Sequence, residues 1–377
     1  MKGYQFSLFL LFFLLASLLF SSFPLYAATG ASPGTSAECA CLYLPHNNSV
    51  LYDKNANRRH PMASTTKIMT ALVALENSAP DEIVTVSPAA VGIEGSSIYL
   101  SAGSRFRMDS LLYAMLLESA NDAAAAIAIH VGGSVEGFAD LMNETADALG
   151  LSDTHFTNPH GLAEDEHYTT AAELAKITAA AMENPLFCEI VSTKHKTVTD
   201  IDGTVTRSLV NHNKLLRAYP DCTGVKTGFT KKSGRCLVSA AERDGMRLIA
   251  VTLGAPDDWR DHRAMLDYGF SLYEGSLPCA SYTCRIPVLL GKQDSVALAL
   301  AEPAHFVLRR GESPITVRAE VNRYAIAPIK AGDTLGKLVY LQDGKKIAER
   351  DLLATEDVSA IPVRLSFFDK IKKFLHM

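Results

Sequence analysis

The hydrophobic pattern of the chain changes at Pro278, and one packed unit cannot satisfy both halves. Before that point, after an apolar hairpin pattern over residues 39–44 and 49–53, a helical run covers 64–76. Apolar residues then recur at three-to-four spacing: Leu111, Leu112, Met115 and Leu116, the alanine-rich stretch 123–129, and 171–182. Strand composition returns after Lys194, in 225–230, 236–242 and 247–253, the last two joined by Asp244-Gly245 as a hairpin turn; helical 261–273 follows. Beyond Pro278, residues 285–359 are short Val, Leu and Ile stretches broken by Gly-Lys, Asp-Gly and Ala-Gly-Asp turns, the pattern of a small all-β domain. With 377 residues, 48% of them hydrophobic, there is material for two cores. The expected architecture is therefore an α/β (α+β) domain over 38–278, with helices packed on an antiparallel sheet, and a β-sandwich-like domain over 285–360.

Charge and the two ends bear on location. A net charge of -5 does not suit a nucleic-acid binder, which would want a basic face. Residues 1–27 read as a secretory signal: Lys2, an apolar run over 6–23, then small residues at Ala27 and Ala28. An uncleaved membrane helix is the alternative, and either reading puts the body of the chain outside the cytoplasm. The seven cysteines then lie where disulfides are allowed, but no pairing follows from their spacing. Cys39 and Cys41, two apart on a strand, should face the same side. Residues 29–37 are small and turn-rich, as a linker is. Residues 366–377 place Phe367, Phe368, Ile371, Phe374 and Leu375 on one helical face and Lys370, Lys372 and Lys373 on the other, an interfacial amphipathic helix whose expected partner is a membrane surface; an ordinary packed helix is the alternative.

Three motifs carry chemistry. Ser64-Thr65-Thr66-Lys67 is the one Ser-x-x-Lys of the chain, at the start of an apolar helix, and on a helix positions i and i+3 share a face. The Lys67 amine can then reach the Ser64 hydroxyl and, when neutral, take its proton. Alone, this tetrad could equally be a capping serine beside a solvated lysine. Ser119-Ala120-Asn121 follows an apolar helix, and Lys226-Thr227-Gly228 lies in a strand. Burial and a second cation, Lys226, would lower the Lys67 pKa toward that of a usable base. Ser119 and Asn121 can relay a proton to a leaving amine and hold a substrate amide. Lys226 and Thr227 offer a charge and a hydroxyl to a carboxylate, and Gly228 lets a substrate backbone lie against the strand. The backbone N–H groups of Ser64 and Phe229 complete the set as an oxyanion site.

In this order the motifs resemble those of the serine-type D-Ala-D-Ala carboxypeptidases, the low-molecular-mass penicillin-binding proteins. The resemblance runs over most of the chain. It takes in the signal, Met62-Ala63-Ser64-Thr65-Thr66-Lys67, Glu118-Ser119-Ala120-Asn121-Asp122, Asn158-Pro159-His160-Gly161-Leu162, Gly224-Val225-Lys226-Thr227-Gly228-Phe229, the β-rich end and the amphipathic tail. It implies a β-lactamase/transpeptidase-like fold, Ser64 as nucleophile, Lys67 as general base, and Ser119 with Asn121 as the second-motif pair. Lys226, Thr227, Gly228 and Phe229 become the substrate-binding strand. The substrate implied is a peptidoglycan stem peptide ending in D-Ala-D-Ala, with β-lactams as covalent inhibitors and neither metal nor cofactor. Ala120 stands where some relatives have Gly.

Other residues are given lesser parts. His155, His160 and His167 fit no common zinc spacing and are expected to order a loop, with His160 near the site. Arg260 and Arg263 are expected in salt bridges rather than on a carboxylate. Asp122 is expected to favour the positive end of its helix. A class A β-lactamase would share the three motifs but needs a Glu that activates the deacylating water. No Glu-x-x-Leu-Asn follows Asn121, although Glu164 and Glu166 lie in the right region. An endopeptidase, or a sensor that stays acylated, uses the same residues.

Overall fold

The computed structural model describes residues 32–362, so the expected signal segment 1–27 and the amphipathic segment 366–377 lie outside the described residues. The central element is a five-stranded antiparallel sheet in the order Ser49–Lys54, Cys39–Leu44, Met246–Leu253, Gly234–Arg243, Cys222–Thr230. Both faces are covered, and alternation along one strand shows how. Cys39, Cys41 and Tyr43 join the core beneath the helical layer, while Ala40, Leu42 and Leu44 join the core on the opposite face. Against the first face packs the helix Ala171–Ala181, whose N-cap Thr170 accepts the Glu173 N–H. Against the second packs the helix Asp258–Leu272, through Met265, Leu266 and Phe270.

Between the central-sheet strands Ser49–Lys54 and Cys222–Thr230 lies a mainly helical region that includes Lys67–Asn77, Met108–Leu117, Asn121–Gly132, Val135–Ala148, Ala171–Ala181 and Pro185–Ser192. Two short antiparallel strand pairs, Ile83–Thr85 with Arg105–Arg107 and His195–Thr199 with Thr206–Val210, are inserted in it. The expected helix over 64–76 is split, with a tight 3₁₀ turn over Ala63–Thr66 preceding the α-helix Lys67–Asn77. The cause is local. Thr65 Oγ1 donates to the Met62 carbonyl at 2.6 Å and Thr66 Oγ1 to the Ala63 carbonyl at 2.9 Å, bonds that compete with the α-helical ladder.

The C-terminal region forms a separate all-β domain, a six-stranded sheet in the order Thr316–Val321, Thr334–Gln342, Lys345–Ala354, Ser295–Leu300, Thr283–Leu289, Ala325–Ile326. Its own core holds Val296, Leu298, Leu338, Tyr340 and Leu352. The strand Tyr273–Ser276, on the N-terminal side of Pro278, pairs with Phe306–Arg309 beyond it, so backbone hydrogen bonds cross the composition change.

Candidate active site

Ser64 lies in the 3₁₀ turn, half-buried, one turn ahead of Lys67, whose side chain is fully buried. Lys67 Nζ is 3.0 Å from Ser64 Oγ, 2.7 Å from Asn121 Oδ1 and 2.7 Å from the His160 carbonyl oxygen. Asn121 Oδ1 and the His160 carbonyl can only accept. A neutral amine has two N–H bonds and one lone pair; with both N–H groups held by those acceptors, the lone pair is left facing the serine hydroxyl. Burial holds Lys67 well below the usual lysine range, the neighbouring charge of Lys226 lowers it further, and Asp122 opposes the shift. The structure thus gives Lys67 the depressed basicity anticipated from the sequence.

The second motif sits at the junction of Met108–Leu117 and Asn121–Gly132. Ser119 is buried and holds a left-handed backbone, φ 61°, an arrangement that costs a non-glycine residue about 1 kcal/mol or more. The turn is held from both sides. Asn121 N donates to the Ser96 carbonyl at 2.7 Å, and Asn121 Nδ2 to that of Glu94. Asp122 lies in the first turn of its helix, as expected, and has a second role. It is buried and accepts from Ser97 Oγ at 2.6 Å, Leu100 N at 2.9 Å and Ile98 N at 3.3 Å, so it anchors the 97–100 loop as well as lying in the first turn of its helix.

The third motif lies on Cys222–Thr230, which forms the margin of the sheet. Lys226 is buried, its Nζ 2.9 Å from the Thr227 carbonyl, and burial lowers its pKa to about 7. Thr227 is half-buried, and the Phe229 side chain projects into solvent. Gly228 is pressed against the serine turn: a β-carbon there would lie 3.0 Å from Ser64 N and 3.2 Å from Thr65 N. The structure therefore brings together Ser64, Lys67, Asn121, Lys226 and Gly228, with Ser119 and Thr227 adjoining in sequence.

The Asn-Pro-His-Gly-Leu segment packs against the serine turn and the helix after it. Besides the His160 carbonyl, Gly161 (φ 86°) approaches so closely that a β-carbon would overlap the Ala63 carbonyl oxygen. His167 Nδ1 accepts the Thr157 N–H at 3.1 Å, which leaves Nε2 to donate to Thr66 Oγ1 at 2.8 Å. Burial drives His160 and His167 down to about 3, with Lys67 adding to the effect on both and His160 and His155 on His167. These histidines order the loop. Arg260 pairs with Asp257 and Asp261, as expected; Arg263 has no salt bridge among the described residues and donates instead to the Ala218 carbonyl. Glu164 and Glu166 are exposed, and neither hydrogen-bonds to Ser64 or Lys67. Glu164 accepts from Asn158 Nδ2, and the Glu166 backbone carbonyl bonds to His155. Glu118 and Gly161 lie within the motifs and His167 was expected to order a loop, but the contacts by which they brace the serine turn and Ser119 have no signature in the sequence.

Sequence and fold are similar to those of proteins of known class. A family model described as D-alanyl-D-alanine carboxypeptidase matches residues 27–257, and one described as penicillin-binding protein 5, C-terminal domain, matches 283–360. The chain belongs to the D-alanyl-D-alanine carboxypeptidase family of serine peptidases. Within it, the two-domain organisation is that of the low-molecular-mass, penicillin-binding protein 5-like members. The D-alanyl-D-alanine carboxypeptidase DacF of Bacillus subtilis is 34% identical over 345 residues, covering 85% of this chain and 86% of its own. The crystal structure of penicillin binding protein 5 from Haemophilus influenzae matches with TM-score 0.62 at 29% identity, over 87% of this chain and 99% of that one. The Streptomyces K15 DD-transpeptidase matches with TM-score 0.62 at 34% identity, over 64% of this chain and 100% of its own.

Proposed function

We propose that the chain is a serine-type D-Ala-D-Ala carboxypeptidase that removes the terminal D-Ala of peptidoglycan stem peptides through an acyl-enzyme on Ser64. The observation that carries this reading is the Lys67 amine, buried between two obligate acceptors with its third position 3.0 Å from Ser64 Oγ. In the proposed reaction Lys67 takes the hydroxyl proton as Ser64 Oγ adds to the penultimate D-Ala carbonyl. The oxyanion is held by the N–H groups of Ser64 and Phe229. The carbonyl re-forms as the C–N bond breaks, and the departing D-Ala amine receives a proton through Ser119. Asn121 holds the substrate amide, and Lys226 with Thr227 binds the terminal carboxylate. Water then releases the shortened peptide. A β-lactam acylates the same serine, its amine remaining tethered after ring opening.

Residues 38–278 form the catalytic unit in this reading and 285–360 an accessory β domain. The signal over 1–27 places the protein outside the cytoplasm, and 366–377 attaches it peripherally to the cell membrane. The exposure of Glu164 and Glu166 supports a peptidase over a class A β-lactamase, which needs a carboxylate against the nucleophile.

Intact mass after mixing with benzylpenicillin, together with D-Ala release from diacetyl-Lys-D-Ala-D-Ala, tests the proposal. A penicilloyl adduct on the Ser64 peptide, absent in Ser64→Ala, with D-Ala release, is the expected result. An adduct without release would point to a sensor or an endopeptidase. Equal labelling of wild type and Ser64→Ala would put the nucleophile elsewhere.

A further inference from the structure

Most exposed apolar side chains of this protein are scattered singly, as on any soluble surface. One group is not. At one end of the C-terminal sheet, Leu290 is 66% exposed, Ile326 59%, Ile361 54%, Tyr324 52% and Leu289 46%. They are joined by the backbone: Leu289 is the parallel register partner of Ile326, the Leu290 carbonyl accepts the Ile361 N–H at 2.8 Å, and the Leu289 carbonyl accepts the Ala327 N–H at 3.0 Å. The alternation is strict around them. Ala325 and Ala327 point into the domain core, so Tyr324 and Ile326 share the outward face. Nothing in the folding of the domain requires those outward positions to be apolar, and a contiguous group of this kind marks an interaction surface.

Two further features identify the partner. Arg323 and Lys292, both exposed, flank the group in sequence, and among the described residues neither has an ion-pair partner. In sequence, the basic, phenylalanine-rich stretch 366–377 begins five residues after Ile361. Aliphatic residues that can enter the acyl boundary, a tyrosine that is polar at one end and apolar at the other, and free cations at the rim form the chemistry of a lipid interface. We propose that this tip of the β domain, through Leu290, Tyr324, Ile326 and Ile361, docks directly on an anionic lipid surface. It is a contact of the folded domain itself, additional to the tail. The inference rests on the reading that the protein works at a membrane, and the test separates the two.

The full mature chain is sedimented with vesicles of phosphatidylcholine and phosphatidylglycerol, alongside the pair Leu290→Ser with Ile326→Ser, a chain lacking 366–377, and the combination. The surface pair should lower the partition coefficient about a hundredfold with the tail present, since each side chain loses most of its transfer free energy. Its melting temperature and hydrolysis of a soluble D-Ala-D-Ala peptide should stay unchanged. In a second readout, Tyr324→Trp should be quenched by brominated acyl chains while the native Trp259 is not. If the surface pair partitions as wild type does while loss of the tail abolishes binding, the docking surface is refuted and the tail reading stands. If loss of the tail changes nothing while the surface pair releases the protein, the tail reading fails and the surface remains. Self-association in the absence of vesicles that the surface pair removes, with no change in partition, would reassign the patch to a second copy of the chain and overturn the proposal.

Discussion

Glu118 Oε1 accepts the backbone N–H of Val210 at 2.6 Å, and the same carboxylate lies 3.2 Å from His212 Nε2. It thereby ties the residue just before Ser119 to the hairpin Thr206–Val210 and the loop after it. Because Ser119 sits in a left-handed conformation, its hydroxyl points where it does only while the flanking residues are held. Glu118→Ala should therefore cost about 1–2 kcal/mol of stability and slow acylation about tenfold. Glu118→Gln, which keeps an acceptor for Val210, should restore most of the rate. Stopped-flow acylation by benzylpenicillin reads this directly; a Glu118→Ala rate equal to wild type would show that the tie does not orient Ser119.

Two glycines test how tightly the nucleophile turn is enclosed. At 161 a β-carbon overlaps the Ala63 carbonyl on a backbone with φ 86°, so Gly161→Ala should lose several kcal/mol, on the order of 3, and express poorly. At 228 the contacts are 3.0 Å to Ser64 N and 3.1 Å to Ala63 Cβ, tight but survivable. Gly228→Ala should fold and lose activity chiefly in kcat, because the methyl pushes on the N–H proposed to hold the oxyanion. Urea midpoints and steady-state kinetics on both variants separate the outcomes.

Lys226 links recognition to stability. Its pKa is about 7 in the fold against an ordinary 10.5, so between pH 7 and 10.5 the unfolded chain holds a proton that the folded chain does not, and stability rises with pH across that window. Lys226→Met should remove this slope. At pH 7 and below it should also raise the melting temperature by about 2 °C or more, since it deletes a buried cation with no carboxylate beside it. Hydrolysis of peptides with a free terminal carboxylate should fall far more than that of an ester analogue. Scanning calorimetry at pH 6.5 and 9.5, with kinetics on the two substrates, checks both halves.

Acid should loosen the site before it protonates many carboxylates. His160, His167 and His262 are buried, and burial holds each near 3 against an ordinary 6.5. Below pH 6.5 the unfolded chain takes up protons that the folded chain refuses, so stability falls with pH down to about 3, by up to about 1.4 kcal/mol per pH unit for each histidine. Protonating His167 at Nδ1 would also break its bond from Thr157 N–H and disturb the brace on Thr66. His167→Gln should flatten the dependence of the urea midpoint between pH 6 and 4; an unchanged slope would clear His167 of that role.

The elements that could be read from the sequence were those with an unambiguous period or turn. The hairpin at 39–54, the Asp244-Gly245 turn and the strand carrying Lys226 all have local causes, and so does the change of pattern at Pro278. The three motifs were legible because their chemistry constrains residue type at fixed spacing. What escaped was tertiary. The 3₁₀ form of the serine turn depends on hydroxyls that bond backwards, which periodicity does not register. Asp122 was legible as a helix-end charge, but its second role was not, because the donors to its carboxylate, at 97–100, are more than twenty residues away. Glu118 and His167 work through contacts 92 and 101 positions distant in the chain.

The strand Cys222–Thr230 lies at the margin of its sheet, paired on one side only among the described residues. A ligand that comes to rest along such a strand is met by peptide groups, which are the same in every residue, and by a glycine that adds no contour of its own. In the proposed reading this makes the site sensitive to the handedness and the free end of a peptide and indifferent to most of its sequence. One such enzyme could therefore trim walls whose stem peptides differ in composition.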